Sequence, residues 1–231
     1  MVDLVGISEE LLLAFRLGNE TDELISQLKG YNIKQLAEYL PNDDYKKAFW
    51  LNIYNAHILK AIRNKDDDNQ FYTKKIIHFH RVSLSFDDVE HGILRRSKLK
   101  WSLGYLNKWK VDDWEKQLRV GKLDFRIHFA LNCGANSCPP ITSYNAEQVN
   151  SQLCNNTKNY LMDGSVFSTT SSNRIKVPRL FRWYFADFGG FKGIKKLYRK
   201  YNLVPIDSKA KISFLSYDWT INTENFTTEI N

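Results

Sequence analysis

One stretch of sequence, from Tyr45 to Arg63, constrains the fold of this chain more than any other. Apolar residues recur three and four positions apart along it, which is the spacing of one buried face of an α-helix. Large apolar side chains also fill positions between these, so the apolar stripe covers most of the helix surface. The stretch follows Pro41-Asn42-Asp43-Asp44, a stop followed by a helix-capping signal. The pattern predicts a long, almost fully buried helix.

Helical spacing dominates the rest of the N-terminal half, and strand signals are confined to short segments. Ser8 is predicted to cap a helix that begins at Glu9, and Ser85 with Asp88 approximates a capping box for the next block. Further helices are predicted at residues 21–28, 33–40, 86–96, 145–162, 180–188 and 194–201. Strands are predicted at residues 126–131, 166–169, 174–177 and 211–215, with residues 74–80 either a strand or a helical turn.

These elements predict one α+β domain spanning residues 1–231. A helical N-terminal half packs on a small, mainly antiparallel sheet, in which residues 166–169 and 174–177 form a hairpin. The chain has no internal repeat, low-complexity segment or clear linker. The polar tail, residues 222–231, is expected to fray.

Composition and charge argue against a disordered, a nucleic-acid-binding or a membrane-spanning protein. With 43% hydrophobic and 14% aromatic residues, the chain is predicted to fold into a packed globular protein. The net charge of +7 is concentrated at residues 95–100 and 192–199, but no nucleic-acid motif accompanies it, so we expect a solvated basic surface and no nucleic-acid partner. No apolar run approaches the roughly 18 residues of a spanning helix. With no secretory signal visible, the predicted location is the cytoplasm.

The three cysteines, Cys133, Cys138 and Cys154, cannot all pair within one chain. No Cys-x-x-Cys motif occurs, so a structural zinc site is not predicted, and neither a metal nor a cofactor is expected. Free thiols in a reducing compartment are the simpler interpretation.

The segment from Arg126 to Pro140 is predicted to be the functional centre. A strand from Arg126 to Leu131 leads to Cys133, and the following Gly134 permits close approach by a substrate or by backbone. A thiol where the chain leaves a sheet suits a functional role, although a buried structural cysteine is the alternative. Cys138, held before two prolines, offers a redox partner for Cys133 as a further possibility.

A thiol nucleophile needs a base, and the histidines differ in their suitability. His91 follows Glu90 and precedes Gly92, so a carboxylate lies next to an imidazole. His128 lies an odd number of positions before Cys133, which puts it on the opposite face of the predicted strand, in a core or supporting role. His57 is predicted to be a core residue. His78 and His80 share one face if their segment is a strand, but a metal there needs a third ligand.

Two carboxamides, Asn52 and Asn55, lie three positions apart on one face of the buried helix. Because unpaired buried amides are costly, both must find hydrogen-bond partners. They tie the helix to a neighbouring loop, or one of them orients the catalytic histidine or donates to an oxyanion.

Three blocks of this sequence together resemble the signature of the domain-of-unknown-function 547 (DUF547) family. They run from Ala48 to Ala56, from Ser83 to Arg95 and from Arg126 to Pro140, in the family's order and approximate spacing. The resemblance covers residues 45–161 and carries no assigned function. It implies a set of site residues: Asn52, Asn55, Glu90, His91, His128 and Cys133. Some relatives, notably in plants, lack a cysteine where Cys138 stands, which favours Cys133 as the nucleophile.

A thiol, an imidazole, a carboxylate and a carboxamide are also the parts of papain-like and transglutaminase-like enzymes, so a similar arrangement is a further expectation. The first hypothesis is a cysteine-dependent hydrolase or acyl-transferase that acts on an amide or thioester bond of a peptide or small molecule. Cys133 is its nucleophile, His91 its base and Glu90 the group that orients the base. Asn52 or Asn55 donates to the oxyanion.

Two alternatives belong to other classes. In the first, the polar set only holds the fold of a binding or scaffold module, whose interface is the aromatic region 101–114 or 181–188. In the second, His78, His80 and His91 join the cysteines in a metal or redox site.

Overall fold

The computed structural model describes residues 2–64, 70–167, 174–205, 209–222 and 224–226. The α-helices are α1 (Leu4–Leu17), α2 (Asp22–Lys29), α3 (Ile33–Tyr39), α4 (Asp43–Arg63), α5 (Asp113–Leu118), α6 (Val149–Asp163), α7 (Leu180–Trp183) and α8 (Gly190–Lys200). The strands are β1 (Ile77–Phe79), β2 (Val82–Leu84), β3 (Val166–Phe167), β4 (Arg174–Val177) and β5 (Lys211–Phe214). A π-helix spans Asp88–Leu94, and 3₁₀ helices span Lys100–Ser102 and Phe125–Phe129.

Helix α4 is the centre of the fold, as its sequence predicts. Every side chain from Lys47 to Leu59 is buried. The Asn42 side chain accepts hydrogen bonds from the Asp44 and Tyr45 amides and so begins the helix. Burying a side chain of the size of Phe49 stabilises the fold by about 1.5–3 kcal/mol, which explains why so apolar a helix is covered on all sides.

The strands form two small sheets. β1 and β2 are an antiparallel hairpin, while β3 pairs antiparallel with β4 and β4 pairs parallel with β5. The antiparallel pairing predicted for the hairpin is confirmed at residues 166–167 and 174–177, and so is the closing strand near residue 211; residues 168–173 lie outside the described part. With helices predominating and two of the three strand pairings antiparallel, the α+β class is confirmed. An arrangement like that of papain or transglutaminase stays a prediction.

Two apolar clusters fill the interior, and the segment before Cys133 joins them. The larger cluster surrounds α4 and includes Ile127 and Ala130. The smaller one lies around α7, α8 and β4, and it includes Phe129. Neighbouring side chains of this short segment therefore pack in different clusters. This packing fixes the position at which the loop that carries Cys133 begins.

The predicted strand from Arg126 to Leu131 is wrong, because a 3₁₀ helix at Phe125–Phe129 occupies it. Its start is fixed by Asp124, whose side chain accepts from the Arg126 amide. Neither sheet includes this segment, so the alternation of apolar residues reflects burial between two clusters rather than strand pairing. The prediction that His128 and Cys133 lie on opposite faces of a strand therefore lacks its basis.

One further expectation, the Ser8 cap, needs correction. Helix α1 begins at Leu4 under an Asp3 cap, and Ser8 lies buried inside it, bonded to the Val5 carbonyl. At the C-terminal end of the described residues, Asn225 donates to the Cys138 carbonyl and the Phe226 ring lies 4.4 Å from the Arg16 guanidinium, whereas the fraying of residues 222–231 stays a prediction. Residues 227–231 lie outside the described part. Across the described residues, no helix has both the length and the apolar character required to cross a membrane.

Candidate functional site

The loop that carries Cys133 is shaped by a chain of carboxamides. Asn55 Nδ2 donates to the Ala130 carbonyl at 3.0 Å, and its Oδ1 accepts from the Asn132 amide at 3.1 Å. The Asn132 side chain continues the chain, because it donates to the Pro139 carbonyl and accepts from the Gly134 amide. The buried helix α4 thus sets the backbone on both sides of Cys133.

Asn52 fixes the far end of the same loop. Its amide donates to the Tyr144 carbonyl and its Oδ1 accepts from the Tyr144 amide, both at 2.8 Å. Its Nδ2 also lies 3.1 Å from Ser8 Oγ. Both hydrogens of this amide therefore have partners in the fold. These contacts favour the interpretation of Asn52 and Asn55 as ties between α4 and the loop.

Gly134 allows the loop to pass close to α4. Its φ is +85°, in the left-handed region, and a β-carbon there would lie 2.0 Å from Ile62 Cδ1. Another residue type would strain the backbone at this φ, and the Ile62 side chain of α4 would have to move to make room for its β-carbon. This tight turn brings Cys133 and Cys138 together.

The two thiols of the loop are in contact. Cys133 Sγ lies 2.6 Å from Cys138 Sγ, and the Cys133 amide donates to Cys138 Sγ at 3.0 Å. The Tyr217 hydroxyl lies 3.4 Å from Cys133 Sγ and 3.1 Å from Cys138 Sγ. Cys133 is half-buried, whereas Cys138 is only 4% exposed. The more accessible thiol is therefore surrounded by hydrogen-bond donors.

These neighbours make the two thiols chemically unequal. The hydrogen bond from the Cys138 thiol, supported by that from Tyr217, outweighs burial and lowers the pKa of Cys133 to about 6. Burial and the adjacent Cys133 sulfur raise the pKa of Cys138. Burial also raises the pKa of Tyr72 and Tyr217, and the nearby Cys133 sulfur adds to the rise, so both remain neutral hydroxyls. At neutral pH the site thus combines a Cys133 thiolate with protonated partners.

A buried cluster of charged and imidazole groups lies nearby. Glu90 Oε1 accepts from the Tyr184 hydroxyl at 2.7 Å and lies 3.4 Å from His91 Nδ1. Burial raises the pKa of Glu90, but the electrostatic interaction with His91, the hydrogen bond from Tyr184 and the nearby Arg95 charge hold it below its ordinary value. The charge of Glu90 in turn opposes ionisation of Cys133, so the carboxylate and the thiol act on each other through space.

The neighbours of His91 determine which of its ring nitrogens carries the proton. Arg95 Nη1 lies 2.9 Å from His91 Nδ1, and a guanidinium can only donate. Nδ1 is therefore the acceptor, and the neutral ring carries its proton on Nε2, 3.6 Å from Asp87 Oδ1. Burial lowers the pKa of His91 despite the adjacent Glu90. His91 is a neutral imidazole whose lone pair is already engaged.

His128 belongs to the same cluster through Asp187. His128 Nε2 and Arg95 Nε lie 2.9 Å and 2.7 Å from Asp187 Oδ2, and the His128 ring stacks on Tyr184 with centroids 3.8 Å apart. Burial lowers the pKa of His128. Burial raises the pKa of Asp187, but hydrogen bonds from His128 and Arg95 hold it below its ordinary value. His128 is thus a neutral donor to a buried carboxylate.

The predicted site residues therefore form two adjoining groups. Asn52, Asn55 and Cys133 belong to the loop, while Glu90, His91 and His128 belong to the charged cluster. Among the residues that the structure describes, no imidazole makes a hydrogen bond to either sulfur of the pair. The remaining predicted histidines lie elsewhere: His57 bonds the Ile53 carbonyl and His78 bonds Ser83. Within the described ranges, no three His, Cys, Asp or Glu side chains form a group suited to a metal ion.

Several residues of the site escaped the sequence analysis: Tyr72, Tyr184, Tyr217, Arg95 and Asp187. Twelve tyrosines occur in the chain, and nothing in their spacing marks the three near the thiols. Asp187 carries one usable signal, because it is a single carboxylate within the aromatic run from Trp183 to Phe188. An isolated charge in such surroundings needs a partner.

A polar groove opens beside the thiol pair. Its volume is about 1050 Å³, and Cys138, Tyr160 and Tyr217 line one part of it. Much of the remaining wall consists of hydroxyl and carboxamide side chains: Ser137, Thr142, Ser143, Gln148, Ser151, Gln152, Asn155, Asn156 and Asn159. The groove therefore offers a bound molecule many neutral hydrogen-bonding groups, together with charged side chains of both signs: Glu9, Glu10, Arg16, Asp163 and Arg179.

Comparison with known proteins gives one match. The model of a family described as "Protein of unknown function, DUF547" matches residues 39–161, which is just over half of the chain. No curated protein and no solved structure matches the chain.

Proposed function

The chain belongs to the DUF547 family, and for this member we propose a cysteine-dependent acyl transfer or hydrolysis in which Cys133 is the nucleophile. The observation that carries the proposal is the environment of the Cys133 sulfur. It is half-buried, it is held by the Cys138 thiol and the Tyr217 hydroxyl, and its pKa is lowered to about 6. A thiolate is the nucleophilic form of cysteine, so this sulfur needs no separate base for its activation.

The same environment favours a thioester over an amide as the bond attacked. An amine must be protonated as it leaves, which requires an acid close to the reacting atoms. In the described part of the chain, the groups that hydrogen-bond the Cys133 sulfur are the Cys138 thiol, the Tyr217 and Tyr72 hydroxyls and the Ala135 backbone N–H. Burial raises the pKa of the thiol and of both hydroxyls, so none of them is a strong acid. The leaving group of a thioester is a thiol with a pKa of about 8.5, which can depart as a thiolate and, unlike an amine, needs no such acid.

The proposed reaction has two halves. The Cys133 thiolate attacks the thioester carbonyl carbon, and the resulting oxyanion accepts from the Tyr217 hydroxyl. The carbon–sulfur bond to the leaving thiolate breaks, and an acyl group remains on Cys133. Water or an acceptor then attacks this acyl group, the Glu90 carboxylate is the proposed base that takes its proton, and Cys133 departs as a thiolate. His91, whose Nδ1 lone pair accepts from Arg95, holds Glu90 in place rather than acting as the base. Asn52, Asn55 and His128 support the reaction by holding the loop and the cluster in place.

Thiol–disulfide exchange is a second candidate, favoured by the 2.6 Å contact between the sulfurs. Cys133 would attack a substrate disulfide and expel one thiol. Cys138 would then attack Cys133, release the second thiol and leave a Cys133–Cys138 disulfide. The substrate gains the two electrons that the pair loses, and a low-molecular-weight thiol reduces the pair again. The unequal pKa values of the two thiols suit this chemistry as well.

Alkylation across pH tests the thiolate. With iodoacetamide, we expect the rate at Cys133 to rise with pH and reach half its maximum near pH 6, because a lowered pKa leaves the thiolate present at lower pH. The Cys138→Ala substitution removes the donor that lowers the pKa most, so the midpoint should move toward the ordinary value of about 8.5. Cys154→Ala is the matched control and should leave the Cys133 profile unchanged. A Cys133 midpoint above pH 8 in the natural sequence contradicts the proposal.

Two substrates separate the candidate reactions. After incubation with the acetyl thioester of N-acetylcysteamine, intact-mass measurement should find an acetyl adduct on Cys133 in both the natural sequence and Cys138→Ser. With hydroxyethyl disulfide and no added reductant, exchange chemistry instead predicts conversion of the natural sequence to the Cys133–Cys138 disulfide and a stalled mixed disulfide on Cys133 in Cys138→Ser. Absence of both adducts in a folded protein would exclude both reactions for these probes and return the chain to the binding-module hypothesis.

A further inference from the structure

A surface loop between the π-helix and α5 has an unusual composition. Residues 94–111 contain six lysine or arginine residues and no aspartate or glutamate. Two tryptophans and one tyrosine are interspersed with these basic residues: Trp101, Tyr105 and Trp109. We name residues 96–110 the basic aromatic loop.

The aromatic side chains of this loop point into solvent. Trp109 is 96% exposed, Trp101 is 73% exposed and Tyr105 is 63% exposed. Leu103 and Leu106 are more than 40% exposed beside them. Single exposed apolar side chains are ordinary, but five large ones within nine residues form a patch of the kind that marks an interaction surface.

The loop is held in this conformation by its own backbone. The Leu99 amide donates to the Leu106 carbonyl at 2.9 Å, and the Lys108 amide donates to the Ser97 carbonyl at 2.7 Å. Arg96, Ser97 and Leu103 all have positive φ, a conformation that non-glycine residues rarely adopt. The fold therefore maintains an unfavourable backbone in the segment that displays its aromatic groups.

The charged and aromatic residues of the loop together indicate what kind of partner it binds. Within the described ranges, Arg96, Lys98 and Lys110 form no ion pair, so their charges are available to an anionic partner. Tryptophan and tyrosine concentrate at the boundary between membrane and water, where the ring is buried and the N–H or O–H stays hydrated. Basic side chains near the surface are attracted to anionic lipid headgroups. Leucines add apolar area that enters the boundary region.

We propose that the basic aromatic loop docks this protein onto the surface of an anionic phospholipid membrane. The attachment is peripheral, through side chains rather than a spanning helix. The loop adjoins the cysteine site, because Lys100 Nζ lies 2.9 Å from Asp87 Oδ1 and 5.2 Å from the centre of the Tyr72 ring. The Leu103 carbonyl also accepts from the Ala186 amide, next to Asp187. Docking thus places the thiol site close to the membrane surface, and the docking itself does not depend on the reaction at Cys133.

Vesicle flotation of the full chain tests the proposal. The probes are phosphatidylcholine vesicles and vesicles in which about a third of the lipid is phosphatidylglycerol. We expect the protein to float with the anionic vesicles only, with binding that falls as salt is raised. Tryptophan emission should shift to shorter wavelength on binding, since Trp101 and Trp109 leave water.

Two double variants locate the surface. Trp101→Ala with Trp109→Ala should reduce partitioning about tenfold by removing apolar area, and Lys98→Glu with Lys110→Glu should reduce it about as much by reversing charge. Lys192→Glu with Lys196→Glu, on the basic helix α8, is the matched charge control and should partition like the natural sequence. Circular dichroism and thermal unfolding confirm that each variant is folded.

Three outcomes would overturn the assignment. One is no flotation with anionic vesicles. Another is partitioning that both loop variants leave unchanged. The third is a loss of binding confined to the α8 control, which would assign the membrane contact to that helix. If the loop variants change only the oligomeric state in gel filtration, the surface binds protein rather than lipid.

Discussion

Two buried polar networks meet at the Cys133 loop, and they are built in opposite ways. The carboxamides Asn52 and Asn55 are neutral, and their donors and acceptors are matched to backbone groups of one loop. The cluster of Glu90, Arg95 and Asp187 is charged. Within the described residues, that cluster leaves Arg95 Nη2, Asp187 Oδ1 and His128 Nδ1 buried without hydrogen-bond partners. The first network is complete, and the second is not.

This difference indicates that the two networks have different roles, one structural and one chemical. A complete neutral network stabilises one loop conformation, because breaking it leaves backbone groups unpaired. Buried charges with unused hydrogen-bonding capacity are costly to maintain, and such groups concentrate at functional sites. The comparison therefore supports the proposal that the carboxamides position Cys133 and that the charged cluster is where protons are transferred beside it.

The largest expected effect is on the charged network. Asp187→Asn removes the charge that faces the fully buried Arg95, and breaking a buried pair in this way lowers the free energy of unfolding by about 3–5 kcal/mol. Urea denaturation at neutral pH measures the change. Asp113→Asn is the control, because its ion pair with Lys116 involves an 89% exposed carboxylate and should contribute under about 0.5 kcal/mol. Equal effects of the two substitutions would show that Asp187 is not an essential counter-charge.

A slightly smaller effect is expected in the neutral network. Asn55→Ala leaves the Ala130 carbonyl and the Asn132 amide unpaired in the interior, which should lower the free energy of unfolding by about 2–4 kcal/mol. Asn159→Ala, at an exposed position of α6, should change it by less than about 0.5 kcal/mol. Because Asn55 positions the loop, the Cys133 alkylation midpoint should also move upward. A destabilised variant with an unchanged midpoint would separate Asn55 from the thiol site.

The smallest of the three effects concerns pH. His57 lies on α4, where its Nδ1–H donates to the Ile53 carbonyl and burial lowers its pKa from 6.5 to about 4. The folded state thus resists protonation more than the unfolded state does. The contribution of His57 to stability is complete above pH 6.5 and is lost as pH falls through about 4.

The His57→Leu substitution isolates this contribution. Between pH 7 and pH 5 the natural sequence should lose about 2 kcal/mol more of its unfolding free energy than the variant. Urea titrations of both proteins at the two pH values measure the difference. Parallel losses would show that His57 titrates normally in the folded protein, and the interior around α4 would then be less dry than its burial indicates.

The elements that the sequence predicts well are those whose signals are local. The apolar stripe of α4 is evident from the residues of that helix alone. The Ser85–Asp88 capping box and the hairpin of β3 and β4 are likewise evident from the residues that form them. The segment from Arg126 to Leu131 was mistaken for a strand because alternation also arises when a short 3₁₀ helix lies between two apolar clusters. Distinguishing the two requires the neighbours, which a single sequence does not provide.

For the site, the sequence by itself determined which residues are exceptional: a cysteine after an apolar segment, a Glu-His pair, and two carboxamides on a buried helix. Their types and spacing are local properties, readable without coordinates. Only the tertiary structure decided which of them meet. Cys133 contacts Cys138 and Tyr217, whereas His91 contacts Arg95, because contacts between distant segments depend on how the clusters around α4 and α8 pack together. The pKa of Cys133 follows from those contacts, so it too is a property of the fold rather than of the sequence around the thiol.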